Sequence, residues 1–168
     1  MKATAAILVE EYLSTTYDPD CEYVDGELLE RNGGELDHGK AQKALLLYLG
    51  AREAELGIFV IQEQRIQVSP TRFRVPDLCI VAGPPPQEQI LTQPPLVCVE
   101  ILSLSDRVSR LQSKIADYLA FGVRYVWVVD PQARQAFVST PRGMHEVKDG
   151  LLQTEDPAVV VPLVQIYR

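Results

Sequence analysis

The stretch that decides the fold reads PDLCIV at residues 76–81 and LVCVEIL at residues 96–102. Both runs are apolar and have the length of a β-strand. Each nevertheless contains one acid, Asp77 in the first run and Glu100 in the second. A buried charge is costly unless it is paired or bound to a metal ion. The two acids therefore need partners, and they are the first candidates for a functional site.

Strand alternation predicts where these acids point. Successive side chains face opposite sides of a sheet, so Asp77 shares a face with Cys79, and Glu100 shares a face with Cys98. If the strands are neighbours, the two carboxylates converge and repel each other. A divalent cation removes that conflict, and Mg²⁺ is commonly held by one or two carboxylates. Lys114 lies at the edge of the apolar stripe of the following helix, from which its ammonium can extend toward the acids.

The surrounding periodicity predicts a mixed β-sheet flanked by helices, in the α/β class. Three consecutive strands followed by a helical crossover favour this arrangement. Before the acid-bearing strands, we expect a helix at 5–13, a hairpin at 21–30 turning at Asp25-Gly26, a helix at 37–56 capped by Asp37, and one strand at 59–68. After those strands, we expect a helix at 106–121 capped by Ser105 or Asp106, a strand at 123–129, and a hairpin at 135–147. One or two short strands follow at 151–168.

Length and composition favour one soluble domain over residues 1–168, with a core at about 37–130. The apolar runs are too short to span a membrane. Three cysteines, an odd number without a Cys-x-x-Cys spacing, argue against a disulfide framework and favour a cytoplasmic setting. The net charge of −7 gives no electrostatic footprint for nucleic acid, which weighs against any DNA-related function.

The order of motifs resembles a known family. Pro76-Asp77, then Val99-Glu100-Ile101-Leu102-Ser103, then a helical lysine and tyrosine, then GVRYVWVVDP at 122–131 are similar to the Uma2 family of putative restriction endonucleases, within the PD-(D/E)xK nuclease superfamily. The N-terminal part, with EYVDGEL at 22–28 and His38 opening a helix, is also similar. The resemblance implies a restriction-endonuclease-like core with extra N-terminal and C-terminal β-hairpins.

The resemblance also implies roles for particular residues. Asp77 and Glu100 would be the metal-binding acids for Mg²⁺ or Mn²⁺, and Lys114 would replace the lysine that the superfamily usually places two residues after the glutamate. Glu22 matches an early family glutamate and would complete the site as a further acid. His38 matches a frequent family histidine whose role stays open.

Three positions depart from the family pattern. The family usually reads Ser-Pro-Ser-Thr after the glutamate, whereas this chain has Leu104 and Asp106 within Ser-Leu-Ser-Asp. A common helix acid is Arg110 here. These positions lie near the expected active face, so they bear on substrate preference and on activity.

Structural alternatives stand beside each functional interpretation. Asp77 could cap a turn or pair with Arg74, and Glu100 could be a buried ion-pair partner of Lys114. Lys114 could equally be a solvated helix lysine. Glu22 could be an ordinary hairpin acid, and His38 could be a structural histidine near a helix start.

Three functions follow from these observations, and the third, an enzyme acting on another phosphorylated or small substrate, is not separated from the first by the sequence. The first is a metal-dependent endonuclease that hydrolyses DNA phosphodiester bonds with a metal-activated water, acting as a possible homodimer. The second is a catalytically inactive binding or assembly module that keeps the nuclease fold. The first function needs basic side chains gathered on one face, and the candidates are Arg52, Arg65, Arg72, Arg74, Arg107 and Arg110.

Overall fold

The structure, a computed structural model, describes residues 6–31 and 35–167. Its helices are α1 (Val9–Ser14), α2 (Leu36–Gly50), α3 (Glu53–Leu56) and α4 (Val108–Phe121), and a 3₁₀ turn covers Leu163–Gln165. Its strands are β1 (Cys21–Val24), β2 (Glu27–Glu30), β3 (Ile58–Gln62), β4 (Ile66–Ser69), β5 (Arg72–Arg74), β6 (Leu78–Ala82), β7 (Val97–Ile101), β8 (Tyr125–Asp130), β9 (Gln135–Thr140), β10 (Gly143–Glu146), β11 (Leu151–Gln153) and β12 (Val160–Pro162).

A six-stranded mixed sheet with the order β10-β9-β8-β7-β6-β3 forms the centre. β7 and β8 are parallel and are joined through α4, whereas the other neighbours in this sheet are antiparallel. The predicted mixed α/β sheet is therefore confirmed. The acid-bearing strands β6 and β7 are neighbours, and Cys79 pairs directly with Cys98.

Helices cover both faces of this sheet. On one face, α2 buries Ala41, Leu45 and Leu49 against apolar side chains of the central strands. On the other face, α4 buries Ile115 and Tyr118 against the layer that contains both strand cysteines. The alternation predicted for β6 and β7 is thus confirmed, and it directs Glu100 toward α4. The short β11–β12 pair packs on the α2 side.

A second sheet of four strands, in the order β2-β1-β5-β4, contains the predicted N-terminal hairpin. Its aromatic side chains Tyr23 and Phe73 pack with Tyr12 of α1 in a separate apolar cluster. Ile66 and Val68 of β4 join the cluster beneath α4. This packing holds the small sheet next to α4, at the end of the large sheet that carries the acids.

The expectation of one strand over 59–68 is wrong. The chain leaves β3 at Gln62, and Glu63 adopts a left-handed conformation with φ of 52°. β3 then pairs in the large sheet, and β4 pairs in the small one. Positive φ is uncommon for residues other than glycine, so a Glu-Gln-Arg sequence gives little warning of such a break.

Helix boundaries also differ from expectation. The helix expected at 37–56 ends at Gly50 and resumes as α3, which Gly57 closes in a left-handed conformation. Asp37 is not the cap, because α2 already begins at Leu36. α4 begins at Val108 and has no side-chain cap, since Asp106 accepts a hydrogen bond from the Ser103 amide at 2.7 Å instead.

The first helix is shorter than predicted. It covers Val9–Ser14, whereas the prediction began at Ala5, which lies outside the described residues. Within the described part of the chain, no helix has the length and apolar character needed to cross a membrane.

Candidate active site

Three of the four predicted site residues line one cavity. Asp77 immediately precedes β6, Glu100 lies in β7, and Lys114 lies on α4. The cavity has a volume of about 40 Å³, above the roughly 10–15 Å³ that a cavity needs to hold a water. Arg31 and His38 also line it. Asp77, Glu100 and Lys114 therefore lie together, as strand alternation and helical spacing predicted, and their part in a functional site stays a prediction.

The carboxylate of Asp77 is held by several donors. Its Oδ2 accepts a hydrogen bond from the Ile101 amide at 2.6 Å, and its Oδ1 lies 3.2 Å from His38 Nε2 and 3.7 Å from Arg31 Nη2. Burial alone would raise the pKa of Asp77, but the His38 hydrogen bond and nearby positive charge outweigh burial and lower it. Asp77 is therefore ionised. The alternative that it pairs with Arg74 is wrong.

Glu100 experiences a different environment. It is 7% exposed, its Oε2 accepts a hydrogen bond from Lys114 at 2.6 Å, and its Oε1 accepts one from the Tyr118 hydroxyl at 2.6 Å. Burial raises the pKa of Glu100 to about 7, against the opposing effect of Lys114 and together with repulsion from Asp77 and Glu22. Glu100 thus carries the least stable negative charge of the cavity, and an added cation would favour its ionised form.

Lys114 lies between two acids. Its Nζ is 2.6 Å from Glu100 and 3.1 Å from Glu22, and its side chain is 13% exposed. Burial would lower the pKa of Lys114, but the two glutamates and Asp77 more than offset burial and raise it. The ammonium therefore keeps its proton. The alternative of a solvated helix lysine is wrong, whereas the ion pair with Glu100 is present.

Glu22 is fully buried and lies behind the lysine. It accepts hydrogen bonds from Arg74 Nη1 at 2.9 Å and from the Val75 amide at 3.0 Å, in addition to its contact with Lys114. Burial would raise the pKa of Glu22, but Lys114 and Arg74 lower it. Glu22 is not among the residues that line the cavity. Its contacts are those of a carboxylate that fixes Lys114.

Arg74 connects the small sheet to α4. It is 1% exposed, and besides Glu22 it contacts Asp117 at 2.7 Å and Ser113 at 2.9 Å. Arg72 pairs with Asp117 and Asp25. The expectation that both arginines belong to a basic nucleic-acid face is therefore wrong for Arg74, which is buried, and Arg72 is engaged in ion pairs.

His38 and Gln42 support Asp77 from α2. Gln42 donates a hydrogen bond to the Asp77 carbonyl at 3.1 Å, while His38 contacts the Asp77 carboxylate. The contact with Asp77 raises the pKa of His38. Because these residues are four apart on one helix, they lie on the same face. His38 therefore has a defined partner in the site, which the sequence did not reveal.

The donor set is compatible with a small hard cation. Across residues 6–31 and 35–167, no group of three or more His, Cys, Asp or Glu side chains is arranged to hold a metal ion. Mg²⁺ needs fewer protein ligands, because waters and substrate phosphate oxygens complete its shell. Asp77 and Glu100 supply two carboxylates at one cavity, and each carboxylate oxygen has lone pairs beyond its present hydrogen bond.

Sequence reasoning missed Arg31, Asp117 and the Ile101 amide. Arg31 reaches Asp77 from the end of the small sheet, and Asp117 holds Arg74 from α4. Asp117 lies three residues after Lys114, so helical spacing could have placed it on the same side. Arg31 has no comparable signal, because its approach depends on how the two sheets meet.

Most of the chain matches the model of one protein family. The family model described as "Uma2: Putative restriction endonuclease" matches residues 9–165. The chain belongs to the Uma2 family. A crystal structure of a putative nuclease of the DUF820 group from Anabaena variabilis superposes with a TM-score of 0.82 at 19% identity, over 96% of this chain and 97% of that one. No curated protein matches the chain.

The fold expected for a Uma2 protein, with a restriction-endonuclease-like core, is thus confirmed. The three departures from the family pattern surround the acids. Asp106 and Arg110 line the cavity that Asp77, Glu100 and Lys114 share, which we call the acidic cavity. Leu104 lines a neighbouring groove. Arg110 also donates a hydrogen bond to the Glu30 carbonyl of the small sheet. The departures therefore change the surroundings of the site and leave Asp77, Glu100 and Lys114 in place.

Proposed function

We propose that this Uma2 protein is a metal-dependent endonuclease that hydrolyses DNA phosphodiester bonds. The observation that supports the proposal most is the convergence of Asp77, Glu100 and Lys114 on one small cavity. Asp77 and Glu100 would hold Mg²⁺ or Mn²⁺, which when bound supplies Lewis-acid charge and an activated water. Two carboxylates and a cation that keeps its proton are suited to a reaction in which negative charge develops on a phosphate.

The residues of the chain have distinct parts in this proposal. Lys114 cannot serve as a base, because its pKa is raised, so it acts as a fixed positive charge beside the scissile phosphate. Glu22 and Arg74 position Lys114 from behind. His38 orients Asp77, and the hydroxyl of Tyr118 orients Glu100. Such partners of metal ligands typically affect metal affinity or activity by about 10- to 100-fold.

Cleavage assays test this proposal. We expect wild-type protein to nick supercoiled, single-stranded or branched DNA when Mg²⁺ or Mn²⁺ is present. Asp77→Asn and Glu100→Gln should each lower cleavage activity by at least the roughly 10- to 100-fold that is typical when a residue contacting a metal ligand is removed. Glu146→Gln, an exposed acid on β10, is the matched control and should keep full activity.

Two outcomes would count against an endonuclease. One is the absence of cleavage on every DNA form with every divalent metal tested. The other is cleavage that survives in both Asp77→Asn and Glu100→Gln, since the activity would then come from another site or from a contaminant.

A second function, an inactive binding or assembly module, is favoured by one observation. Both acids have protein partners, since Lys114 and Tyr118 contact Glu100 while His38 and Ile101 contact Asp77. A module of this kind would bind its partner equally well with and without divalent cations. Metal-dependent DNA cleavage that is lost in Asp77→Asn and Glu100→Gln would argue against it.

A further inference from the structure

A second concave surface lies beside the acidic cavity. It has a volume of about 380 Å³, within the range of roughly 300–1,000 Å³ typical of small-molecule sites. It shares Leu102, Ser103 and Leu111 with the acidic cavity. A group bound here would therefore be adjacent to whatever occupies the space between Asp77 and Glu100. We call this surface the apolar groove.

Five of the ten residues that line the apolar groove are apolar, and the other five are Ser103, Asp106, Arg107, Asp130 and Gln132. Leu102 and Leu111, half-buried, form its base and pack on the core cluster beneath α4. Leu104 and Val108 flank the base and are 75% and 70% exposed, and Ala133 lines the groove after β8. The apolar side chains of the groove are contiguous, which distinguishes them from the scattered exposed apolar residues of an ordinary surface.

The position of the groove restricts its occupant. An occupant that fills the groove and also reaches Asp77 and Glu100 must contain an apolar group joined to an anion. The anion is needed because the proposed metal cation would lie between the two acids. A nucleotide has this composition, with a flat base next to a phosphate. Arg107 can contact a flanking phosphate, and the carboxylates of Asp106 and Asp130, which also line the groove, restrict that phosphate to the Arg107 side. A base that is stacked and paired within a duplex cannot enter such a groove.

We propose that the apolar groove binds an unpaired nucleobase of the DNA strand whose phosphodiester bond lies at Asp77 and Glu100. This proposal rests on the endonuclease function above and narrows its substrate class to single-stranded, frayed or branched DNA. Apolar contact with the base supplies affinity without reading its sequence, because every base has an apolar face. Phosphate contacts position the strand.

Fluorescence binding measurements in EDTA test the groove separately from cleavage. The probes are a single-stranded oligonucleotide that contains 2-aminopurine and the same oligonucleotide in a fully paired duplex. The test variant is Leu104→Gln with Val108→Gln, which removes apolar surface at exposed positions without changing charge. We expect affinity for the single strand to fall by about tenfold, as for the loss of one base contact, while affinity for the duplex is unchanged.

Matched control variants are Leu47→Gln and Val164→Gln, at exposed apolar positions outside the groove, and they should bind like the wild type. Equal losses for single strand and duplex, or no loss for either, would overturn the groove proposal. If cleavage of DNA persisted in that case, the endonuclease function would still stand. A concentration-dependent dimer in sedimentation that the double variant abolishes would show that a second copy occupies the groove, and would also overturn the proposal.

Discussion

Glu100 and Asp77 are both buried carboxylates, yet their surroundings act on them in opposite directions. Asp77 receives a backbone amide and the His38 ring, so its charged form is favoured. Glu100 lies deeper among other acids, and burial raises its pKa to about 7. Such a separation of pKa values is common where two acids perform different tasks. The contribution of each residue to the free energy of unfolding should therefore depend on pH in a different way.

Glu100→Gln should change how stability depends on pH. The folded-state pKa of about 7 lies above the ordinary value of 4.5, so the contribution of Glu100 to stability is complete below pH 4.5 and is lost as the pH rises through 7. The glutamine variant lacks this loss. Its free energy of unfolding relative to wild type should therefore increase by about 3 kcal/mol between pH 4.5 and pH 8 in metal-free buffer. Urea unfolding at several pH values measures it.

Asp77→Asn is the contrasting variant in the same experiment. Because the pKa of Asp77 is lowered, its charged form stabilises the fold above the ordinary pKa of 3.8, and that stability is lost as the pH falls through the lower folded value. We expect this variant to be less stable than wild type at neutral pH. If the two variants had the same pH dependence, the difference between the two environments would be refuted.

At this scale, the sequence predicted what depends on local geometry. Alternation placed Glu100 on the α4 face, and helical spacing put Lys114 within reach of it. The contact between Arg74 and Glu22 could not be predicted, because it joins residues 52 apart through the pairing of β1 with β5. Chain alternation carries no information about which strands of a second sheet become neighbours.

At the scale of secondary-structure elements, α4 supplies Lys114 and Tyr118 to the site, so the end of this helix matters. Gly122 closes the helix with φ of 111°, and an added Cβ would lie 3.4 Å from Pro94. Residues with a side chain rarely adopt this conformation. The tight end directs the chain into β8, which pairs with β7 next to Glu100.

Gly122→Ala should destabilise the protein by about 1–3 kcal/mol, the usual cost of a strained backbone conformation. Gly50→Ala is the matched control. Gly50 ends α2 and has open space around it, so alanine there should raise stability by about 0.5–1 kcal/mol. Thermal unfolding of both variants measures the difference. Equal effects at the two positions would contradict the assigned role of Gly122.

Helices and strands could be predicted from the sequence where one spacing of apolar residues continued along the whole element. The strands around the acids and the helix after them follow clear patterns, and their existence is confirmed. The break at Glu63 lies within four consecutive polar residues, 62–65, which interrupt the apolar alternation but were included in one strand. There, the pairing of β3 with β6 and of β4 with β5 decides the structure. Tertiary pairing overrode local preference.

At the scale of the whole molecule, residues from both sheets and from α4 meet at one site. The small sheet supplies Glu22 and Arg74, the large sheet supplies Glu100, and α4 supplies Lys114 between them. The site is therefore complete only when both sheets are in place. The predicted homodimer stays a prediction, which sedimentation of the full chain can check.

Arg74→Met should cost about 3–5 kcal/mol of stability, because it removes a buried cation from Glu22, which keeps Lys114, and from Asp117, which keeps Arg72. Arg72→Met is the control. Arg72 is 36% exposed in its side chain, so its ion pairs with Asp25 and Asp117 should contribute at most about 1 kcal/mol. Denaturant unfolding compares the two. Similar losses would mean that the buried network does not join the sheets.

The most direct test of the proposed metal-dependent site is anomalous diffraction from crystals soaked in Mn²⁺. We predict one peak in the acidic cavity, in contact with carboxylate oxygens of both Asp77 and Glu100, at the roughly 2.0–2.1 Å that Mg²⁺ also prefers. The peak should disappear in Glu100→Gln crystals. A cavity without a peak at Mn²⁺ concentrations that support cleavage, or a peak that neither acid contacts, would contradict the proposed site.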